Sequence, residues 1–206
     1  MKKLLVVLLA MLIVGCANDE SAPENEEAYE VSATQQDHAP LRPTAVAEVV
    51  NTNYDQIGEA NFYQDSQGKT VVHTKVEGLK PEGFHGYHIH ENGVCEVDAE
   101  EGPFMSAGGH FSLSDHDHGH HTGDLPSLYV NEDGTAQATF MLDQFTPEQL
   151  LENDVSLIIH EGRDNFANIP DRYQSSESDA PGADEETRST GDSGDRIGCG
   201  VVVAPE

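Results

Sequence analysis

Eight short apolar segments, each bounded by Gly, Pro, Asn or Asp, recur along the chain after Arg42. Short runs rich in Val, Ile, Leu and aromatic residues that end at turn-forming residues are typical of β-strands. Because little helical periodicity separates them, the pattern predicts an antiparallel β-sandwich or barrel. The predicted strands are Thr44–Val50, Gly58–Gln64, Thr70–Val76, His85–His90, Ser127–Val130, Ala136–Met141, Val155–His160 and Gly200–Val203.

Two local patterns predict how some of these strands are connected. The segment Asn131–Gly134 has the composition of a tight turn, with Gly134 free to take a positive φ, and it predicts a hairpin between the flanking strands. Thr146, Pro147 and Gln149 have the arrangement of a capping box with Pro in the first turn, which predicts one short helix. No other segment shows a comparable helical signal.

The first residues of the chain are a basic start followed by an apolar run. Lys2 and Lys3 precede Leu4–Val14, which is too short to remain a membrane-spanning helix and is typical of an export signal. The run ends in a small residue followed by Cys16, a pattern that resembles the lipobox of bacterial lipoproteins. We expect residues 1–15 to be a signal peptide and Cys16 to carry lipid, and a plain signal peptide is the alternative. The domain would then lie on the extracytoplasmic side, anchored to the cell membrane or the outer membrane.

An acidic segment follows the predicted lipid anchor. Ala17–Pro40 carries seven acidic residues and no basic residue, so it buries too little apolar surface to fold. Residues 16–42 are therefore predicted to be a lipidated, disordered tether, and residues 43–206 the folded domain. If Cys16 is lipidated, Cys95 and Cys199 remain, and export to an oxidising compartment favours a disulfide between them.

The charge balance restricts the class of partner. The chain has 38 Asp and Glu against 10 Lys and Arg, a formal net charge of -28. Such a surface repels nucleic acids and anionic membrane faces, so we exclude binding of polyanions. A small anion that binds beside a local positive charge is not excluded.

Two long stretches, Glu91–Leu125 and Gly162–Arg196, show neither a strand nor a helix pattern. Loops of this length in a compact domain are either disordered or functional. The first contains five of the eleven His residues together with Cys95, and the second ends three residues before Cys199. This placement favours a functional role for both loops.

The His residues form a pattern that predicts a metal site. His88 and His90 lie two residues apart in a predicted strand, so their side chains share one face and can bind one metal ion. Imidazoles combined with a carboxylate suit zinc and copper better than calcium or magnesium. A solvated His-rich loop that binds metal loosely is the alternative for the middle of the chain. The further candidates are His110, His116, His118, His120, His121, Asp124 and His160.

Five sequence blocks occur in the order of one known family: Gly83–His90, Ala107–Phe111, His121–Pro126, Ile158–Glu161 and Arg196–Val201. From about Thr44 to Val203 the chain resembles copper/zinc superoxide dismutase, specifically the exported lipoprotein branch found in bacteria. The resemblance implies an eight-stranded, immunoglobulin-like Greek-key fold with two long functional loops. Asp164–Pro170 further resembles the extended electrostatic loop of some bacterial members.

The resemblance also assigns residues to two metals. His118 is preferred to His116 and His120 as a zinc ligand because it follows His110 by eight residues, the spacing of the family. The stretch from His118 to His121 is shorter than in many relatives, which leaves zinc occupancy open. Copper would be bound by His88, His90, His110 and His160, and zinc by His110, His118, His121 and Asp124.

Other residues take roles only through the same resemblance. Asp164 would link a copper-ligand imidazole to a zinc-ligand imidazole, and His85 would be structural. Arg196 would dock the incoming anion beside the copper, since alone it would be an ordinary surface charge. Between Glu161 and Arg196 there are ten acidic residues and four Arg, so we expect Arg163, Arg196 and the copper to maintain only a local positive funnel.

The resemblance implies a superoxide dismutase. Superoxide would be converted to dioxygen and hydrogen peroxide by alternate reduction and reoxidation of the His-ligated copper, with zinc-bridged His110 as the proton donor. One alternative is a non-catalytic lipoprotein that buffers zinc or copper through the run from His116 to His121. Another is a dismutase-like domain with decayed sites. The sequence does not decide between a monomer and a homodimer.

Overall fold

The computed structural model describes residues 42–206. The predicted signal peptide, Cys16 and nearly the whole tether lie outside the described residues, so these predictions and the domain boundaries stay predictions. Within residues 42–206, no helix is both long enough and apolar enough to cross a membrane.

The described chain contains nine β-strands, two short α-helices and one 3-10 turn. The helices are α1 (Pro147–Asn153) and α2 (Glu185–Thr190), and the 3-10 turn covers Met105–Ala107. The strands are β1 (Ala45–Asn51), β2 (Gln56–Gln64), β3 (Thr70–Val76), β4 (Gly83–His85), β5 (Tyr87–His90), β6 (Leu128–Val130), β7 (Ala136–Leu142), β8 (Ser156–His160) and β9 (Arg196–Val203).

The strands form two sheets in which all paired strands run antiparallel, and this confirms the predicted all-β class. One sheet has seven strands in the order β5-β8-β9-β1-β2-β3-β7, and a second sheet pairs β4 with β6. Because β4 leads into β5 and β6 leads into β7, the small sheet connects the two edges of the large sheet. The curled sheets enclose the larger of two hydrophobic clusters, as expected for the Greek-key barrel, and the smaller one joins Phe104 and Ala107 of the first long loop to Ile158 and Cys199.

Alternating side chains explain how the strands build this core. In β3, Thr70, Val72, Thr74 and Val76 are buried while the residues between them are more exposed. Successive side chains of a strand point to opposite faces, so one face of β3 packs into the core. By contrast, every residue of β5 and β8 is buried. These two strands are covered on both faces because the long loops lie over their outer side.

The predicted strand His85–His90 is wrong as a single strand. The structure divides it at Gly86 into β4 and β5, which belong to different sheets. Gly86 donates its N–H to the Gly162 carbonyl, in the second long loop, at 2.8 Å. A Cβ at this position would lie 2.6 Å from Ser193 Cβ, so the loop packs directly on the Gly86 backbone. Nine strands therefore replace the predicted eight.

The connections differ from the predictions in two places. The Asn131–Gly134 turn forms, with φ of 84° at Gly134, but β6 pairs with β4 and β7 pairs with β3, so no hairpin results. The predicted strand at Gly200 begins four residues earlier, at Arg196. The helix after Thr146 and its capping box are confirmed. The second long loop contains α2, which the sequence analysis missed.

Candidate metal centre

Three parts of the chain bring the predicted metal ligands together. β5 carries His88 and His90, and β8 ends at His160. Isolated backbone bridges align His110 with His90 and Asp124 with His88, so the first long loop lies across β5. The ligands from the loop are thereby held by backbone hydrogen bonds against a strand of the barrel.

Four imidazoles converge on one point. Each of the four offers a ligand atom within 4.8 Å of the others, and all four side chains are buried or nearly so. One ring nitrogen in each has no hydrogen-bond partner within the described chain. These unpartnered atoms are His88 Nδ1, His90 Nε2, His110 Nε2 and His160 Nε2.

The other nitrogen of each ring is held by a specific partner. His90 Nδ1 donates to the Gly108 carbonyl at 3.0 Å, and His160 Nδ1 donates to the Gly194 carbonyl at 3.0 Å. His88 Nε2 donates to Asp164 Oδ2 at 2.7 Å. These bonds fix which nitrogen carries the proton and leave a lone pair on the opposite nitrogen.

Burial keeps these imidazoles neutral. It lowers the pKa of His110 to about 4 and that of His160 to about 3. Burial also lowers the pKa of His88 and His90, and in His90 the neighbouring imidazole of His110 adds to the effect. Neutral imidazole is the form that binds metal ions.

The residues present fit a copper ion. A buried polar atom without a partner costs about 1–3 kcal/mol, so four such atoms facing one point would be unfavourable in an empty core. A cation that accepts four nitrogen lone pairs satisfies all of them, and imidazole suits copper. The geometry therefore supports the predicted set of His88, His90, His110 and His160.

A second group of ligands adjoins the first. His110 Nδ1 and His118 Nδ1 each lie 3.0 Å from Asp124 Oδ1, and His121 Nδ1 lies 3.5 Å from the same oxygen. Four ligands in a tetrahedron around zinc, at roughly 2.0–2.1 Å from the ion, are about 3.3–3.4 Å apart. The spacing of this group therefore fits zinc.

The chemistry of the same group also requires a cation. His118 Nε2 donates to Asp164 Oδ1 at 2.8 Å, so a neutral His118 presents a lone pair at Nδ1. That lone pair faces His110 Nδ1 at 3.1 Å as well as the Asp124 carboxylate. Burial opposes a proton here, but hydrogen bonds to Asp124 and Asp164 raise the pKa of His118 to about 9. A proton or a zinc ion at Nδ1 would therefore satisfy both the lone pair and the Asp124 carboxylate.

The structure distinguishes among the His residues of the loop. His118 and His121 turn inward to Asp124, whereas His116 and His120 are exposed. His88 also lies within 4.8 Å of this group, but its Nε2 is engaged by Asp164. The group whose ligand atoms lie within 4.8 Å of one another thus contains His88 and not His121, so zinc binding by His121, whose Nδ1 lacks a hydrogen-bond partner, stays a prediction.

Asp164 joins the two groups of ligands. Its two oxygens accept from His88 Nε2 and His118 Nε2. Burial acts to raise the pKa of Asp164, but the hydrogen bonds from the two imidazoles outweigh it and keep that pKa well below the usual value. Gly191 packs directly on this bridge, since a Cβ there would clash with Asp164 Oδ1 and His118 Nε2.

Arg196 is held beside the four imidazoles. Its Nη1 donates to the Phe104 carbonyl at 2.8 Å and its Nη2 to the Gly108 carbonyl at 2.7 Å. The predicted disulfide between Cys95 and Cys199 is confirmed. The disulfide thus links the loop that accepts the hydrogen bonds to β9, the strand that carries Arg196, and the position of the guanidinium is fixed.

A cleft of about 560 Å³ leads to this centre and is lined by both His160 and Arg196. Arg163, which the sequence analysis proposed as a second local cation, does not line it. The sequence pattern predicts neither α2 nor which acidic residues gather in this cleft. The cap at Asp184 with Gly191 after the last turn is the signal that could have identified α2. The acidic residues of the cleft are Glu101, Glu161, Glu186, Asp192 and Asp195.

Comparisons with known proteins agree with this geometry. Residues 56–202 match the family described as copper/zinc superoxide dismutase (SODC). A protein named superoxide dismutase [Cu-Zn] from Mycolicibacterium paratuberculosis is 41% identical over 157 residues, covering 72% of this chain and 69% of that protein. A protein of the same name from Mycobacterium tuberculosis is 44% identical over 140 residues, covering 65% of this chain and 58% of the relative.

Solved structures show the same fold. The crystal structure of a SOD-like protein from Bacillus subtilis has a TM-score of 0.57 and 26% sequence identity, and the match covers 77% of this chain and 97% of that one. The two ligand groups and the family make copper and zinc the cofactors of the domain. The chain belongs to the copper/zinc superoxide dismutase family of oxidoreductases.

Proposed function

We propose that this domain is a superoxide dismutase that converts two superoxide anions and two protons into dioxygen and hydrogen peroxide. The observation that carries the proposal is the convergence of four unpartnered imidazole nitrogens at a point reached by a cleft that Arg196 lines. Bound copper would supply the one-electron oxidation and reduction. The remaining steps depend on residues of the chain.

Arg196 would dock the substrate. A guanidinium held by two main-chain carbonyls keeps its position, so its remaining N–H groups can receive an anion without rearrangement. Burial lowers the pKa of Arg196, but the pKa of a guanidinium lies so far above neutral that the group stays charged at neutral pH. The fixed charge lies at the cleft that His160 also lines.

His110 would deliver a proton. Its two nitrogens face different groups of ligands, with Nδ1 toward Asp124 and Nε2 among the copper ligands. If the zinc group holds Nδ1, Nε2 would be the atom of His110 that holds and releases a proton. Asp124 and His118 would then keep the ring in place while Nε2 gives its proton to the departing hydroperoxide anion, which forms hydrogen peroxide.

The metal-buffering alternative depends on a different arrangement. It requires the run from His116 to His121 to act as one loose loop site. In the structure His118 and His121 join the buried group, and His116 and His120 are left at the surface. A complete set of four imidazoles with Arg196 beside it supports the enzyme instead.

Metal analysis combined with a superoxide-decay assay tests the proposal. We expect wild-type protein to bind copper and zinc and to be active, and His160→Ala to lose copper and activity. His116→Ala is the matched control, because this exposed imidazole belongs to neither ligand group, and it should retain both metals and activity. Wild-type protein that holds copper but does not consume superoxide would overturn the proposal.

We further propose that the protein is exported and lipid-anchored at Cys16. The Cys95–Cys199 disulfide supports an oxidising compartment. Labelled fatty acid should be incorporated into the full chain in a bacterial host and should be lost in Cys16→Ser. Equal labelling of the two proteins would contradict the anchor and leave the enzymatic proposal unaffected.

A further inference from the structure

The cleft that leads to the candidate copper ligands has an unusual charge for a path taken by an anion. Five carboxylates line it against the one guanidinium of Arg196. Within residues 42–206, none of the five makes an ion pair with Lys or Arg. From the part of the chain that the structure describes, the only hydrogen bond to one of these carboxylates is a long one, 3.3 Å, from Thr190 Oγ1 to Glu186 Oε1. Five negative charges against one positive charge leave the lining of the cleft with a formal net charge of -4.

A second observation connects this charge with a cation. His160 lines the same cleft, its residue is 3% exposed, and its Nε2 has no hydrogen-bond partner. A residue in the lining of the cleft thus carries a buried, unpartnered lone pair of the kind that binds soft or borderline cations. A negative wall that leads to a free imidazole lone pair suits the arrival of a metal cation better than that of an anion.

The size of the cleft makes the effect of these charges significant. A volume of about 560 Å³ corresponds to a width of roughly 8 Å, which is about one Debye length at physiological salt. Charges on the walls are therefore incompletely screened for an ion inside the cleft. Clefts lined by charges of one sign raise the local concentration of the opposite ion and its rate of association by about 10- to 1000-fold.

We propose that the acidic cleft is the loading path for copper, in which Glu101, Glu161, Glu186, Asp192 and Asp195 attract the cation and guide it to His160. This inference rests on the copper site of the proposed function. The carboxylates act before the metal is bound, and the four imidazoles then replace them as ligands. The same charges act against superoxide, so the cleft would accelerate metal loading more than catalysis.

The rate of copper uptake tests this inference without an activity assay. Zinc-loaded protein free of copper is mixed with aqua Cu(II) in a non-coordinating buffer, and the visible absorption of His-bound Cu(II) is followed in a stopped-flow instrument. The test variant combines Glu101→Gln, Glu186→Gln and Asp192→Asn. These residues do not neighbour the ligands in sequence, and Asn tolerates the left-handed backbone at Asp192, where φ is 56°.

We expect the triple variant to take up copper about tenfold more slowly at low ionic strength. The difference should shrink at high salt, and the final amount of copper bound should equal that of wild type. The matched control combines Glu59→Gln, Glu132→Gln and Asp143→Asn, which remove the same charge from exposed positions that do not line the cleft.

The outcomes separate the inference from the proposed function. If the two triple variants slow uptake equally, or neither does, the cleft has no special role and the loading path is wrong. If wild-type protein binds no copper at all, the copper site itself fails, and the loading path and the proposed dismutase fail together. If the triple variant in the cleft reaches the normal copper content at the wild-type rate of uptake, only the loading path is wrong.

Discussion

The carboxylate of Asp164 accepts a hydrogen bond from His118 Nε2 at 2.8 Å, and its other oxygen accepts one from His88 Nε2 at 2.7 Å. All three side chains are buried. One residue thus orients an imidazole in each of the two groups of metal ligands. Through this bridge, the orientation of the His88 ring depends on that of the His118 ring.

Asp164→Asn tests the bridge. An amide has one acceptor oxygen, and its NH2 group would face one of the two imidazole N–H donors, so one ring loses its support. We expect zinc affinity to fall about 10- to 100-fold, measured by competition with a chelator. Asp171→Asn in the same loop is the control and should bind zinc as wild type does. Equal zinc affinity in all three proteins would refute the role of Asp164.

Gly191→Ala tests how closely the backbone packs on that bridge. Gly191 has φ of 66°, and a Cβ there would clash with Asp164 Oδ1 and His118 Nε2. We expect zinc affinity to fall at least tenfold by the same competition assay. Gly68→Ala is a matched control, because Gly68 has φ of 82° but no atom within 4 Å of a Cβ. Similar losses in both would show that backbone strain alone is responsible.

Arg196→Lys tests the fixed guanidinium. Lys cannot donate to the Phe104 and Gly108 carbonyls and still present planar N–H groups to an anion. We expect kcat/KM for superoxide to fall about 10- to 100-fold with copper content unchanged, since a mispositioned donor loses much of its electrostatic stabilisation. Arg172→Lys, in the loop that precedes β9 and with its guanidinium against Tyr173, should leave kcat/KM at the wild-type value.

Ionic strength tests the effect of the acidic cleft on the substrate. Five carboxylates near the path oppose an approaching anion, and salt screens them more as the Debye length shortens from about 30 Å at 0.01 M to about 10 Å at 0.1 M. We expect kcat/KM for superoxide to stay constant or to rise over this range. A steep fall would mean that Arg196 and the metals dominate the field over the whole approach.

The stability of the metal-free protein should depend on pH. His110 and His160 have a pKa of about 4 and about 3 in the fold, below the ordinary value of 6.5. Below pH 6.5 the unfolded chain takes up protons at these rings and the folded chain does not, so the free energy of unfolding falls toward pH 4. His118 acts in the opposite sense, because its pKa of about 9 stabilises the fold below pH 6.5 and this contribution is lost as the pH rises through 9.

The urea midpoint of metal-free protein, measured from pH 7 to pH 4.5, checks this expectation. The midpoint should fall with pH, and the fall should be smaller in His160→Gln, which removes one of the shifted imidazoles. An identical pH dependence in the two proteins would show that His160 does not contribute.

The local sequence pattern was sufficient to predict those elements that depend on residues adjacent in the chain. Alternation in Thr70–Val76 gave a strand with the predicted bounds, and the capping residues around Thr146 predicted α1. The division of His85–His90 could not be predicted in this way, because the interruption at Gly86 comes from a hydrogen bond to Gly162. The missed helix α2 is short. Its Arg188 carbonyl accepts a hydrogen bond from the N–H of His118, which lies in the other long loop.

The sequence by itself determined the all-β class, the pairing of His88 with His90 on one strand and the supply of imidazoles and carboxylates for two metals. Each of these follows from residue type and from spacing along the chain, which covalent geometry translates directly into side-chain direction. The tertiary structure decided that His118 rather than His116 or His120 meets Asp124, and that acidic residues from two separate loops line one cleft with Arg196. Those contacts join residues far apart in sequence, and their positions depend on how the loops pack across the barrel.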